Sequence, residues 1–358
     1  MKKLIKPKAL KKGDLIASVS LSWGGAGLFK NRYEQGKRQF EDAFGVHIIE
    51  APNSLLEPEI LCNSPEKRLE DLMWAFENTD VKAVLTNIGG DDTVRLLPLM
   101  DVSHFEKIKN NPKIFMGMSD TTVNHFMCLY SGIHSFYSPS LMFGYAENGG
   151  IPDYIVQNTK KTLFSNIPVG VVPESKEFLV QYLDFNVANR CRTRIPTSPW
   201  RYIQGGKKVF GKLIGGCIDV LFYFVNGTKL WPSLDEWNNT ILFIETSEGQ
   251  PSVEQFTYWL RNLAIQGILE RVQGILFARP GGEFLSEEIE LQNNYLNKYI
   301  EYDAAILRVL KECGRIDMPV VTNMDFGHTV PQFIIPYGVL CEIDPVCKTV
   351  SILEAAVE

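Results

Sequence analysis

The segment Lys113-Ile114-Phe115-Met116-Gly117-Met118-Ser119-Asp120-Thr121-Thr122 reads as a strand running into a tight turn. Behind it, Val123, Phe126, Met127 and Tyr130 recur at helical spacing until Gly132 closes the pattern. A serine on such a strand-to-helix elbow holds its hydroxyl above the sheet. The first backbone N–H groups of the helix then point at the place where an oxyanion would develop. The same pattern also suits Ser119 as a plain N-cap, with Asp120 complementing the helix dipole, and Thr121 stands where G-x-S-x-G has its second glycine.

A serine hydroxyl is a weak nucleophile near neutral pH and needs a base, usually histidine, with an acid to orient it. The chain has five histidines. His47 lies in an apolar segment expected to be a buried strand, His104 in a charged stretch, and His125 and His134 flank the helix behind Ser119. His328 differs: it follows the apolar run Pro319 to Thr322 in the polar, glycine-containing loop Asn323 to Thr329, at a strand end where α/β folds place their sites. For the acid, Glu245 ends the strand Thr240 to Ile244 and opens the turn Thr246-Ser247-Glu248-Gly249. Each residue alone also reads as a surface or capping group. Together, Ser119, Glu245 and His328 follow the chain order Ser, acid, His, each at a C-terminal strand end.

Upstream, Leu85-Thr86-Asn87-Ile88-Gly89-Gly90-Asp91-Asp92-Thr93 is another strand entering a glycine turn. Paired glycines let a backbone N–H approach a ligand closely, so the amides of Gly90 and Asp120 can form a two-donor oxyanion hole, with Gly89 against the substrate. A turn that caps the next helix through Asp91 or Asp92 is the competing reading.

The elements that carry these residues follow a βαβα rhythm. Short apolar runs at Leu15 to Val19, Val46 to Ile49, Ala83 to Ile88 and Ile114 to Met118 alternate with helical patterns, which implies a mainly parallel sheet between helices. One helix opens at Ser64-Pro65 and repeats Leu69, Leu72, Met73 and Phe76. From about Ile167 to Lys208 the periodicity fails among prolines, predicting an N-terminal domain over 1–166, a linker with a long functional loop over 167–208, and a C-terminal domain over 209–358. There, Gly274 to Phe277 and Val320 to Thr322 read as strands, Ser252 to Leu263 and Ile289 to Cys313 as helices, and Val339 to Ile343 with Thr349 to Leu353 as a hairpin.

The 358 residues, 45% hydrophobic and 22% charged, are enough for a sizeable core, and a net charge of −6 argues against a nucleic-acid partner. Lys11, Lys12 and Asp14 interrupt the basic N-terminus before an apolar core can form, so no secretion signal is expected, and no apolar run is long enough to predict a membrane span. Seven cysteines without a CxxC pair or a Cys/His metal spacing predict a reducing, cytoplasmic setting and no metal or cofactor.

Taken together, Gly13-Asp14, Ile88-Gly89-Gly90-Asp91-Asp92, Met116-Gly117-Met118-Ser119-Asp120, Gly211 to Gly216, Phe243-Ile244-Glu245 and Phe326-Gly327-His328 resemble the LD-carboxypeptidase family of serine peptidases, over nearly the whole chain. Within it the likeness leans toward the microcin C self-immunity branch. The resemblance implies a catalytic triad of Ser119, Glu245 and His328 and an oxyanion hole from the amides of Gly90 and Asp120. It also implies an N-terminal α/β parallel-sheet sandwich with a smaller C-terminal α/β domain, the triad at their junction, and a homodimer. The substrate implied is a small peptide or peptidyl-nucleotide, cleaved at an amide bond, or a cell-wall peptide with an L,D junction. The immunity branch covers the nucleotide end of its substrate with an aromatic loop, and Trp200, Arg201 and Tyr202 fall in the equivalent part of the chain, with packing of Trp200 at the domain junction as the alternative reading. One departure stands out: Cys217 occupies a position where many relatives have asparagine. A reading of another class is nucleotide binding without hydrolysis, through Trp23-Gly24-Gly25-Ala26-Gly27 after the first strand and Glu50 after the second, although Lys30 stands where the third fingerprint glycine belongs.

Overall fold

A computed structural model describes residues 3–180, 183–281 and 289–358. In chain order the strands are β1 (Leu15–Val19), β2 (His47–Glu50), β3 (Val81–Thr86), β4 (Ile114–Gly117), β5 (Phe136–Tyr137), β6 (Gly170–Val171), β7 (Glu177–Val180), β8 (Thr193–Pro196), β9 (Arg201–Gln204), β10 (Val209–Cys217), β11 (Thr240–Glu245), β12 (Gly274–Ala278), β13 (Val320–Met324), β14 (Ile335–Pro336), β15 (Leu340–Asp344) and β16 (Thr349–Ile352).

The first sheet runs β14-β5-β4-β3-β1-β2, parallel from β5 to β2. Its strands are apolar on both faces because helices cover both, as a parallel sheet requires. The helix Pro65–Glu77 contributes Leu69, Leu72, Met73 and Phe76 to the core, as their spacing predicts. The helix Thr122–Ser131 buries Val123, Phe126 and Met127 completely, each side chain contributing about 1.5–3 kcal/mol through the area it removes from water. That helix is the foundation of the Ser119 elbow, and Gly132 ends it in the left-handed conformation at φ +88°.

The second sheet runs β6-β16-β15-β10-β11-β12-β13-β9. Its centre, β10 to β13, is parallel, and both edges are antiparallel. These two large sheets make an α/β architecture, and β7 and β8 form a separate antiparallel pair. The chain halves are stitched together just past His328: β14 pairs with β5 of the first sheet, and the Tyr337 hydroxyl donates to Gly215 O at 2.6 Å.

Three local expectations differ from what is observed. His47 opens β2 but is exposed, because it starts the strand at the rim of the sheet. Ser64 occupies the N-cap of its helix without a side-chain capping bond, at φ −134° and ψ 67°. Segments of the expected linker add strands to the second sheet, β6 on one edge and β9 on the other, so 167–208 is partly ordered pairing. Ser252 does cap its helix, accepting from Gln255 N, and β15 and β16 form the expected hairpin. All seven cysteines are free thiols. Among the described residues no helix is long and apolar enough to cross a membrane.

Candidate active site

Ser119 follows β4 with φ +62°, the left-handed region that an L-residue occupies at a cost of about 1–2 kcal/mol. The turn is held by neighbours on both sides. His125 Nε2 lies 3.0 Å from Gly117 O and its Nδ1 2.9 Å from Ser135 Oγ, and burial pushes this imidazole down to about 3, so it stands as a neutral strut. Tyr137 pairs with Gly117 in the β4–β5 register, and its hydroxyl accepts the Ser119 N–H at 3.0 Å.

Glu245 is the last residue of β11, opposite Cys217 of β10, and is fully buried. One carboxylate oxygen accepts from the Tyr137 hydroxyl. The other accepts from the His328 backbone N–H at 3.2 Å and lies 2.7 Å from His328 Nδ1. His328 reaches it because Gly327 adopts φ +81° directly over the carboxylate: a Cβ there would lie 2.5 Å from Glu245 Oε2. His328 Nε2 then lies 3.0 Å from Ser119 Oγ. The residues that the sequence pattern singled out, 119, 245 and 328, therefore meet in one continuous chain of hydrogen-bonding distances. Burial works against a charged imidazole here, but Glu245 and Glu248 outweigh it and hold His328 well above its ordinary value.

Gly89 and Gly90 come from the loop after β3. That loop is anchored by Asp92, which takes a two-pronged ion pair from the buried Arg68 at 2.6 and 3.1 Å. A methyl group on Gly89 would lie 3.0 Å from Ser119 Cβ, 3.2 Å from its Oγ and 3.5 Å from Asp120 N, so this glycine keeps the space beside the hydroxyl open. Among the described residues, neither Gly90 N–H nor Asp120 N–H has a hydrogen-bond acceptor. The Asp120 side chain is turned away and buried, accepting from Thr93 N at 2.8 Å, and burial raises its carboxyl.

Trp200, Arg201 and Tyr202 are placed otherwise than the aromatic-loop expectation supposes. Trp200 is buried, donates its indole N–H to Asp325 at 2.8 Å and packs on Phe333. Arg201 and Tyr202 lie in β9, paired with β13, and Arg201 is tied to Asp303 at 2.9 Å. The indole hydrogen bond fixes Trp200, and strand pairing fixes the backbone of Arg201 and Tyr202, whose side chains are half-buried.

An aromatic cluster tied to the elbow loop joins Trp23 to Phe29 and Phe185, two residues that sequence reasoning missed. Phe185 stacks on Trp23 with ring centroids 6.5 Å apart and meets Phe29 edge-on at 5.4 Å. Trp23 N donates to Gly89 O, which ties the cluster to the loop beside Ser119. Phe29 and Phe185 line a cavity of about 260 Å³ together with Gly27, Lys30 and Asn31. Tyr137 also escaped notice, because nothing in Ser135-Phe136-Tyr137 distinguishes it from a core strand. Cys217 is buried, and burial, with Glu245 and Asp219 adding to it, pushes its thiol well up and keeps it neutral. Cys217, Glu245 and His328 lie close enough together to share a metal ion, but the carboxylate and imidazole are already engaged with each other.

The fold is that of a peptidase family built on two large α/β sheets. The chain belongs to the LD-carboxypeptidase family: residues 16–138 match the LD-carboxypeptidase N-terminal domain and residues 210–343 the LD-carboxypeptidase C-terminal domain. It is 30% identical over 345 residues to the putative carboxypeptidase YocD of Bacillus subtilis, covering 95% of this chain and 96% of that one. It is 27% identical over 356 residues to the microcin C7 self-immunity protein MccF of Escherichia coli, covering 96% and 94%. A crystal structure of an MccF-like protein from Streptococcus pneumoniae in complex with AMP superposes with a TM-score of 0.80 at 27% identity, covering 95% and 98%.

Proposed function

We propose that the protein is a serine hydrolase in which Ser119 attacks a carbonyl, His328 takes its proton at Nε2, and Glu245 holds the imidazole through Nδ1. The observation that carries this reading is the unbroken chain from Ser119 Oγ through His328 to the buried Glu245. The unpaired amides of Gly90 and Asp120 receive the oxyanion, supplying the preorganised donors that such a step requires. As the intermediate collapses, His328 Nε2 returns its proton to the departing amine and the C–N bond breaks; the acyl-enzyme is then hydrolysed by water activated at the same Nε2.

The substrate we favour is an aminoacyl- or peptidyl-nucleotide, cleaved at the amide bond. Support comes from the Trp23–Phe29–Phe185 cluster beside the elbow and from the likeness to an MccF-like protein that binds AMP. Hydrolysis of a cell-wall peptide at an L,D junction is the second reading, favoured by the family's own description. On either reading we place the enzyme in the cytoplasm, in keeping with its free thiols, and as a homodimer, as the family resemblance implies.

One experiment decides both mechanism and substrate. The purified protein is incubated separately with an aminoacyl sulfamoyl adenosine and an L,D-tetrapeptide, and amide cleavage is followed by mass spectrometry beside fluorophosphonate labelling. Labelling at Ser119 with cleavage of the nucleotide is the expected result. Cleavage of the tetrapeptide alone would move the assignment to the cell wall, and absence of labelling at Ser119 would overturn the mechanism.

A further inference from the structure

The turn after Glu245 brings a second carboxylate to the histidine. Glu248 Oε2 lies 3.1 Å from His328 Nε2, the same nitrogen that lies 3.0 Å from Ser119 Oγ. The turn that carries it is pinned: Ser247 N donates to Asp219 at 2.9 Å, and Gly281 N to Thr246 Oγ1 at 3.0 Å. The Glu248 side chain itself is 72% exposed, so it reaches into the mouth of the site from a fixed base. The groups facing the imidazole are thus Ser119, Glu245, Glu248 and, behind Glu245, Cys217.

Nε2 has one position for a proton or a lone pair, and the two neighbours want different things from it. To activate Ser119, Nε2 must be unprotonated and accept. To bind the Glu248 carboxylate, it must be protonated and donate. His328 pulls the Glu248 carboxyl down to about 2, and the two carboxylates together favour the imidazolium. With Glu248 in place, the base is already occupied.

We infer that Glu248 is a specificity-determining residue, selecting substrates that carry an ammonium group within two or three bonds of the scissile carbonyl. The inference rests on the Ser119–His328–Glu245 assignment above and names the chemistry that the site recognises. An ammonium arriving at the mouth takes over the Glu248 carboxylate. Glu248 then no longer supports the charged imidazole, the Nε2 proton passes to solvent, and the lone pair is free to accept the Ser119 proton. A substrate whose amine is acylated leaves Glu248 on the histidine. The free α-amino group of an aminoacyl-nucleotide has the required charge and distance.

The test compares alanyl sulfamoyl adenosine with its N-acetyl form on the wild type and on Glu248→Gln, and measures the pH dependence of fluorophosphonate labelling of Ser119 in both proteins. The wild type should prefer the free amine by about tenfold in kcat/KM, and E248Q should reduce that preference to about threefold or less. The acid limb of labelling should move to lower pH in E248Q, a readout that needs no particular substrate and that a merely structural role for Glu248 would not shift. An unmoved limb, or an amine preference retained in E248Q, overturns the inference. If the limb moves but the wild type cleaves neither nucleotide, the nucleotide substrate is wrong and the selection of an ammonium class is overturned with it.

Discussion

Tyr137 and Glu245 are joined by a hydrogen bond from the phenol to the carboxylate oxygen that does not face His328. The same hydroxyl accepts the backbone N–H of Ser119, so one tyrosine ties the candidate nucleophile to the candidate acid across the two sheets. Burial, with Glu245 adding to it, pushes the phenol well up, so it remains a donor at any pH of interest. Tyr137→Phe leaves a partly buried N–H without its acceptor and a buried carboxylate with one donor fewer, the second a loss of about 1–3 kcal/mol and the first a smaller one. The expected outcome is a lower Tm and a drop in kcat of about 10- to 100-fold, read by calorimetry and steady-state kinetics. Unchanged kcat would mean that His328 alone positions Glu245.

Ser119→Ala should reduce kcat by about 10³-fold or more while leaving the fold intact, since only a hydroxyl is removed. The backbone at this residue gives a second, independent outcome. Because φ is +62°, Ser119→Gly should be more stable than Ser119→Ala by about 1 kcal/mol, although both are inactive. Equal melting of the two variants would show that the elbow is unstrained.

Activity should rise with pH along an acid limb whose midpoint lies above 6.5. The sign follows from the charge balance: Glu245 and Glu248 raise the imidazole above its ordinary value, and only the neutral form accepts the Ser119 proton, so activity is lost as pH falls through the raised value. The kcat/KM profile of the free enzyme checks it. A midpoint near 5 would mean that neither carboxylate charges His328 in solution.

The three residues of the proposed triad were legible because each stands at a strand end in a strong local pattern: a glycine elbow, a carboxylate after four apolar residues, and a histidine in a polar loop. The first sheet was legible for the same reason, through apolar runs at regular spacing. What stayed hidden depends on tertiary pairing. Tyr137 looks like any core residue until β4 and β5 are set in register. Glu248 looks like a surface charge until the turn after β11 folds back on His328. Trp200 drew attention as an aromatic in an irregular, proline-rich stretch, yet the pairing of β9 with β13 that follows it makes its surroundings a sheet edge.

Gly89→Ala tests the space beside the hydroxyl. The added methyl would lie 3.2 Å from Ser119 Oγ and 3.5 Å from Asp120 N, where in the proposed mechanism the substrate carbonyl enters between nucleophile and oxyanion donors. Loss of one oxyanion-hole donor costs about 10²- to 10³-fold in kcat, and a methyl that displaces the carbonyl should approach that range. Circular dichroism should be unchanged. Full activity in this variant would place the oxyanion elsewhere.

The placement of the aromatic residues separates the two substrates. Trp23, half-buried, stacked on Phe185 and tied through its backbone N–H to Gly89 beside the elbow, is the aromatic that the proposed nucleobase would meet, and base–aromatic stacking contributes about 1–3 kcal/mol per base. Trp23→Ala should therefore lower kcat/KM for an aminoacyl-nucleotide by about 5- to 150-fold and leave an L,D-peptide nearly unaffected, because the proposed triad is untouched. Trp200→Ala should behave in the opposite way. Its indole is buried against Phe333 and bonded to Asp325, which also pairs with Arg279 at 2.8 Å, so truncation opens a cavity and strips a donor from a buried carboxylate. A stability loss of about 3–5 kcal/mol is expected, with equal loss of activity on both substrates in proportion to the folded fraction. A Trp200→Ala protein that remains fully folded and loses only nucleotide hydrolysis would return that residue to the substrate and remove Trp23 from it.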